Sequence, residues 1–244
     1  TNPSVLSRQF GFSSVLTDNY KLSKIVANSS ISFDAKALML PPHNKSGKNF
    51  CAAADACIHS CVTWFSGRTN DPNYRRAAMN RAKLFIENQE LFGKILLAGL
   101  RKHVDTCERD DKQACFRPNG SSDLPFEMLY PIIFTEFGDS LLCYDYTKIR
   151  SRIHRVIDGH MMRNYSLTYS VNEHSDMSEV RYFLESGINC AVVVDAEYVP
   201  SIDYKGPIPK TMTIAGKRFR CVDGDSHDIR IPSLDGSGKL ILLR

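Results

Sequence analysis

The chain has 244 residues, 43% of them hydrophobic and 24% charged, and its formal net charge is only +4. Such a composition is expected to bury one sizeable core, and the weak basic excess permits nucleic-acid binding without demanding it. There is no run of eighteen apolar residues, which excludes a spanning helix, and the opening TNPSVLSRQFGFSSVLTDNYKLSK lacks the basic head and apolar middle of a signal peptide; the expectation is a soluble, cytoplasmic protein with no membrane partner.

Residues 1–30 mix polar and aromatic groups without periodicity and read as an N-terminal arm or peripheral segment on a single α/β domain, residues 31–244. SISFDAKALMLPP reads as a strand closed by Pro41 and Pro42, and the polar loop HNKSGKN leads into CAAADACIHSCVTWFSGR. Asp71 followed by Pro72 is an N-cap and first-turn pair; it opens a helical stretch to His103 with a break near residues 88–91. After the charged linker CERDDKQ, ACFRPNGSSD reads as a strand running into a polar loop, and PFEMLYPIIFTEFG as a helix that Pro131 interrupts. SLLCYDYTK and NYSLTYSVNE read as strands around the short helix IRSRIHRVIDG. DMSEVRYFLESG is an amphipathic helix with Asp176 or Ser178 as cap and Gly187 as stop, and INCAVVVDAE is a strand apolar enough to be buried on both faces. The tail reads as short strands and turns, with DGSG as a hairpin signal.

Alternating strands and helices predict a mainly parallel sheet joined by right-handed crossovers, here a partial or irregular β/α barrel. Ligands in such folds sit beyond the carboxyl ends of the strands. The first such end carries Arg117, Asn119, Ser122 and Asp123, a guanidinium, an amide, a hydroxyl and a carboxylate suited to gripping a polar cofactor. The next carry Asp145 and Lys148, then Ser170, Asn172 and Glu173, then Asp195 and Glu197. Asp145, Lys148 and Glu173 are the catalytic candidates, the carboxylates as proton acceptors and the ammonium as an anion site; helix capping and ion pairing across the strand ends are the competing roles. Asp223, Asp225, His227 and Asp228 could hold a hard cation, although Gly224 and Ser226 suit a turn better. Arg68, Arg75, Arg76 and Arg81 form a basic opening to the long helical stretch, a phosphate-contacting face or simply a solvated one.

Cys51, Cys57 and Cys61 fall within eleven positions. Thiols stay reduced in the cytoplasm, so clustered cysteines there point to metal or reactive chemistry rather than disulfides. Cys57 and Cys61 share one face of a helical turn, and Cys51 reaches them from the preceding loop. Three convergent thiolates suit zinc completed by His43 or His59, or an iron–sulfur cluster with one iron left open to a small molecule. The absence of a nearby fourth cysteine favours the cluster, with zinc as the alternative and simple packing as a third reading. Cys107, Cys115, Cys143, Cys190 and Cys221 are scattered, and Cys143 and Cys190 lie in apolar runs as small hydrophobes.

A cysteine loop after the first strand, followed by a second strand ending in the polar NGSSD, resembles the arrangement of radical S-adenosylmethionine enzymes. The cysteine gaps here are five and three residues, where that family usually has three and two. The segments CVTWFSGR, YRRAAMNRAKLF, FRPNGSSDLPFE, YDYTK, YSVNE and DGDSHDIR, from about Asn49 to Asp228, resemble a bacteriophage family known as gene product 88. The phage resemblance implies a phage-encoded protein in the host cytoplasm; the three cysteines and the strand-end polar groups, with the radical S-adenosylmethionine arrangement, lead us to expect an iron–sulfur enzyme that uses S-adenosylmethionine on a nucleotide or nucleic-acid substrate. The alternatives are a zinc-stabilised nucleic-acid-binding protein or nuclease, and a non-enzymatic phage protein that binds a host factor.

Overall fold

The computed structural model describes residues 7–18, 30–59, 61, 64, 71–194 and 208–243. Among these, eight strands make one sheet: β1 (Phe33–Ala37), β2 (Gln113–Arg117), β3 (Leu141–Thr147), β4 (Tyr165–Ser170), β5 (Cys190–Val193), β6 (Thr211–Ile214), β7 (Lys217–Asp223) and β8 (Leu240–Leu243), in the order β1-β2-β3-β4-β5-β8-β7-β6. Every neighbouring pair is parallel except the β6–β7 hairpin.

Local chemistry sets the helix boundaries. Helix α1 (Pro72–Glu87) starts at Asp71, whose carboxylate accepts the Asn73 N–H. Asn88 then ends α1 and, by accepting the Leu91 N–H, caps α2 (Gln89–Arg109), so one residue makes the expected break. The second helix runs past His103 into the supposed linker because Leu100, His103, Val104 and Cys107 continue its buried face at spacings of three and four. Pro131 separates α3 (Phe126–Leu129) from α4 (Ile132–Phe137). Helix α5 (Arg150–Ile157) follows β3, and α6 (Met177–Glu185) follows β4, capped by Asp176 and stopped at the left-handed Gly187.

Strands β1 to β5 lie side by side in chain order, and the helices between them share one core on a single face of the sheet, the arrangement that crossovers of the usual right hand produce. The main core fills that face: Phe116, Leu141, Cys143, Tyr165 and Leu167 from the strands meet Phe92, Ile95, Leu96, Ile153 and Phe183 from the helices. On the opposite face Ala35, Ala37, Cys115 and Tyr144 pack beneath Ile229 and Ile231, which precede the short helix α7 (Pro232–Asp235). Phe12 and Val15 of the N-terminal segment enter the main core, and Thr17 pairs antiparallel with Ala37.

The sheet is open, which corrects the expected barrel. After β5, strand β8 occupies the next position and β7 and β6 extend the sheet outward, leaving β1 and β6 as its two edges. Two smaller expectations also change. The hairpin turn is Ala215–Gly216, both at positive φ as a two-residue primed turn requires, whereas DGSG leads into the parallel strand β8. Strand β5 buries Cys190 and Ala191, but Val193 is 74% exposed.

Candidate functional site

The carboxyl ends of β1 to β4 surround an open cavity of about 200 Å³. Cys51, Cys57 and Cys61 line it together with Arg117, Asn119, Ser122 and Asp123. Lys148, Ser170 and the rings of Trp64 and Tyr146 complete its polar and aromatic wall.

The cysteine loop is anchored at its start and at its central turn. Phe50 is fully buried and sits edge-on to Phe85 at 5.5 Å, which fixes the start of the loop. Cys51 donates its N–H to Asn49 Oδ1; its Sγ accepts the His43 N–H at 3.4 Å and lies 3.7 Å from the Ser121 carbonyl. A short 3₁₀ turn, Ala56–Ile58, carries Cys57. Glu173 Oε1 accepts the Ala56 N–H at 2.9 Å, and His174 lies 2.6 Å from Asp55, so the loop after β4 pins this turn. The backbone N–H groups of Glu173 itself and of Ala56 hold the Glu173 carboxyl below its ordinary range. Burial pushes the Cys51 thiol up to about 11, and the nearby charges of Asp123, Cys61 and Cys57 act in the same direction.

The polar groups of NGSSD are largely spent within the protein. Asn119 donates its side-chain amide to the Leu124 carbonyl and to Asp145, and its Oδ1 accepts from Ser122 Oγ and the Leu124 N–H. Asp123 accepts from the Thr147 hydroxyl, the Lys148 N–H and Arg152, at 2.8, 2.9 and 2.8 Å. Arg152 also forms a two-pronged pair with Glu127 and donates to the Tyr165 hydroxyl. Arg117 pairs with both oxygens of Asp228, at 3.0 and 3.1 Å, and lies over the Tyr146 ring at 4.9 Å.

Asp145, a catalytic candidate from sequence, is 0% exposed and lies beneath the loop. The Asn119 N–H, the Asn119 amide and the Tyr165 hydroxyl all donate to it. Burial raises its pKa to about 6, against the opposing pull of Tyr165, Arg152, Arg117 and Asn119. Glu173, the other carboxylate candidate, stands at the cysteine turn outside the cavity wall, and Lys148 belongs to that wall. Asp195, Glu197 and Arg68 lie outside the described residues.

Of the basic opening, Arg81 is buried. Its guanidinium donates to the Ser14 and Met39 carbonyls, so it fastens the N-terminal segment and is withdrawn from any phosphate. Arg75 stacks on Trp64 at 5.0 Å and donates to its carbonyl, and Arg76 is exposed and bonded to Asn73. Asp223 accepts the Asp225 N–H in its side chain and the Ser226 hydroxyl at its carbonyl, making the turn that DGDS suggests, while Asp228 turns away to Arg117 and Tyr144. Sequence reasoning missed Tyr146, Trp64 and the Arg152–Glu127 pair; strand alternation in YDYTK does put Tyr146 on the face opposite Asp145.

Zinc–thiolate bonds of about 2.3 Å in a tetrahedron put sulfurs ~3.8 Å apart. Among the described residues the three cysteine sulfurs do not gather within 4.8 Å of one another, and neither His43 nor His59 joins them in such a group. A multi-atom cluster, whose irons and sulfides stand between the thiolates, accepts a wider triangle.

The class so defined is an open, consecutively wound α/β protein with a thiol-lined polar cavity at its strand ends. The family model Gene product 88 matches residues 13–243, and the chain belongs to this bacteriophage family. No curated protein and no solved structure matches the chain. Among the described residues no helix is long and apolar enough to cross a membrane.

Proposed function

We propose that the protein is a phage-encoded iron–sulfur enzyme whose cluster is held by Cys51, Cys57 and Cys61, and which uses S-adenosylmethionine or a similar amino-acid-bearing cofactor on a nucleotide or nucleic-acid substrate. The observation that carries this reading is the meeting of all three thiols and the NGSSD loop in one cavity at the strand ends. The donor set suits such a cluster: three partly buried thiols line the cavity, and among the described residues no fourth protein sulfur stands in its wall. When bound, such a cluster supplies an electron and an open iron that takes a chelating ligand.

The chain's own residues bind and orient. Lys148 brings positive charge to the wall, and Trp64 and Tyr146, each already with an arginine over its ring, add aromatic groups, a combination suited to an anionic heteroaromatic ligand such as a nucleotide. Asp145 and Asp123 act as positioning residues: the first holds the Asn119 backbone and side chain, and the second ties the β3 end to the loop after β2.

Anaerobic purification, metal analysis and a visible absorption spectrum test the proposal. Iron with acid-labile sulfide is expected, lost when any of Cys51, Cys57 or Cys61 becomes alanine. A colourless protein whose zinc disappears with those same cysteines would overturn it.

A further inference from the structure

A second group of metal-ligand side chains lies on the helix-covered face of the sheet, away from the cysteine loop. Asp34 on edge strand β1 meets His103 and Cys107 of α2, and their ligand atoms all lie within 4.8 Å of one another. His103 and Cys107 are buried, and Asp34 is partly so. The spacing of four places the imidazole and the thiol on one helix face.

The tautomer of His103 follows from its partner. Nε2 lies 3.2 Å from the Cys115 carbonyl, which can only accept, so Nε2 carries the hydrogen and Nδ1 presents its lone pair to Cys107. A backbone carbonyl taking the far N–H is the usual way a protein orients a metal-ligating histidine. Nδ1 and the Cys107 sulfur stand 3.6 Å apart. A tetrahedral ion with Zn–N near 2.0–2.1 Å and Zn–S near 2.3 Å separates those atoms by about 3.6 Å.

The open side of the group faces a cavity of about 350 Å³, lined by Asp34, His103, Thr106, Lys36 and Lys102. Lys36 pairs with Asp18 and lies 3.6 Å from Asp34.

We propose that Asp34, His103 and Cys107 form a zinc site with three protein ligands and a fourth position open to this second cavity, for water or a small anion. The mixed nitrogen, sulfur and oxygen set and the open position match zinc's preferences. The site is independent of the cluster reading and ties an edge strand to the helix that covers it.

The test separates the two sets of thiols. In the full chain carrying C51S, C57S and C61S, cobalt(II) is expected to give a thiolate-to-metal absorption band. C107S should abolish it, and D34N should weaken binding roughly tenfold or more. In the otherwise unaltered chain, C107S should lower the bound zinc by one equivalent, a comparison that holds even if the triple variant folds poorly. A folded triple variant with no band, a band that survives C107S, or a zinc content unchanged by C107S would each overturn the proposal.

Discussion

Replacing Arg152 by methionine removes a charge from the centre of the network beneath the cavity while keeping most of the side-chain volume. The Arg152 side chain is 4% exposed and that of Glu127 is 2% exposed. The two join through bonds of 3.0 and 2.8 Å from Nε and Nη2; Nη2 also donates to the Tyr165 hydroxyl at 2.9 Å, and the remaining Nη1 donates to Asp123 at 2.8 Å. Burial works against the Arg152 charge, but Tyr165, Glu127 and Asp123 together keep the guanidinium firmly protonated. R152M leaves the Glu127 carboxylate buried without its two-pronged partner, a loss that costs about 3–5 kcal/mol in comparable buried pairs. For a chain of this length that corresponds to a fall in Tm of roughly 6–20 °C. Asp123 keeps the Thr147 hydroxyl and the Lys148 N–H, so the cavity wall should loosen without collapsing. Urea unfolding followed by far-ultraviolet circular dichroism at pH 7 measures the loss. The double variant R152M/E127M removes the stranded charge and should recover at least half of it. A cost below about 1 kcal/mol for R152M, or a double variant less stable than R152M alone, would refute the account of a desolvated, mutually dependent pair.

Two further outcomes test the walls of the two sheet faces. A Cβ built on Gly120 meets Met39 Sδ at 2.3 Å and the Leu38 carbonyl at 2.9 Å, so G120A should cost about 1–3 kcal/mol and shift the loop that carries Ser121 against Cys51; a melting curve superimposable on the parent's would show that this close approach does not exist. Burial, then the neighbouring Arg230 charge, lowers the His227 pKa from 6.5 to about 4. Between those values the unfolded chain binds more protons, so stability is full above pH 6.5 and falls on acidification by at most about 3 kcal/mol; H227Q should flatten that slope in urea midpoints taken from pH 7 to pH 4, and parallel slopes would contradict the assignment.

Elements with local causes were legible in the sequence. The strand–helix alternation specified a parallel sheet, the Asp71–Pro72 pair opened α1, and Pro131 broke a helix where a proline should. Openness was not legible, because it depends on β8 taking the place beside β5 and turning β7 and β6 outward, a choice made by long-range pairing. The burial of Arg81 had a readable signal that charge counting overrode: Ala78, Ala82 and Phe85 surround it at helical spacing on the core face of α1, where a long side chain can bury its stem and reach carbonyls. The four-residue spacing of His103 and Cys107 was also there to be read, but its partner Asp34 sits on a strand seventy residues away.

The strand-end residues show why polar density and binding capacity differ. NGSSD looked like a ligand grip because it packs an amide, two hydroxyls and a carboxylate into five residues, and it does line the cavity. A loop that crosses the top of a parallel sheet must also satisfy its own backbone, which has left the ladder. Asn119 does so for Leu124, Asp145 for Asn119, Ser121 for Leu40, and Asp123 for Lys148. Side chains committed in this way shape a site more than they contact its ligand. Among the described residues of the wall, the Cys57 and Cys61 thiols and the Lys148 ammonium have no such task. Substitution of Lys148 should accordingly change ligand affinity more than stability, whereas substitution of Asn119 should lower both together, because the loop it holds is the wall itself.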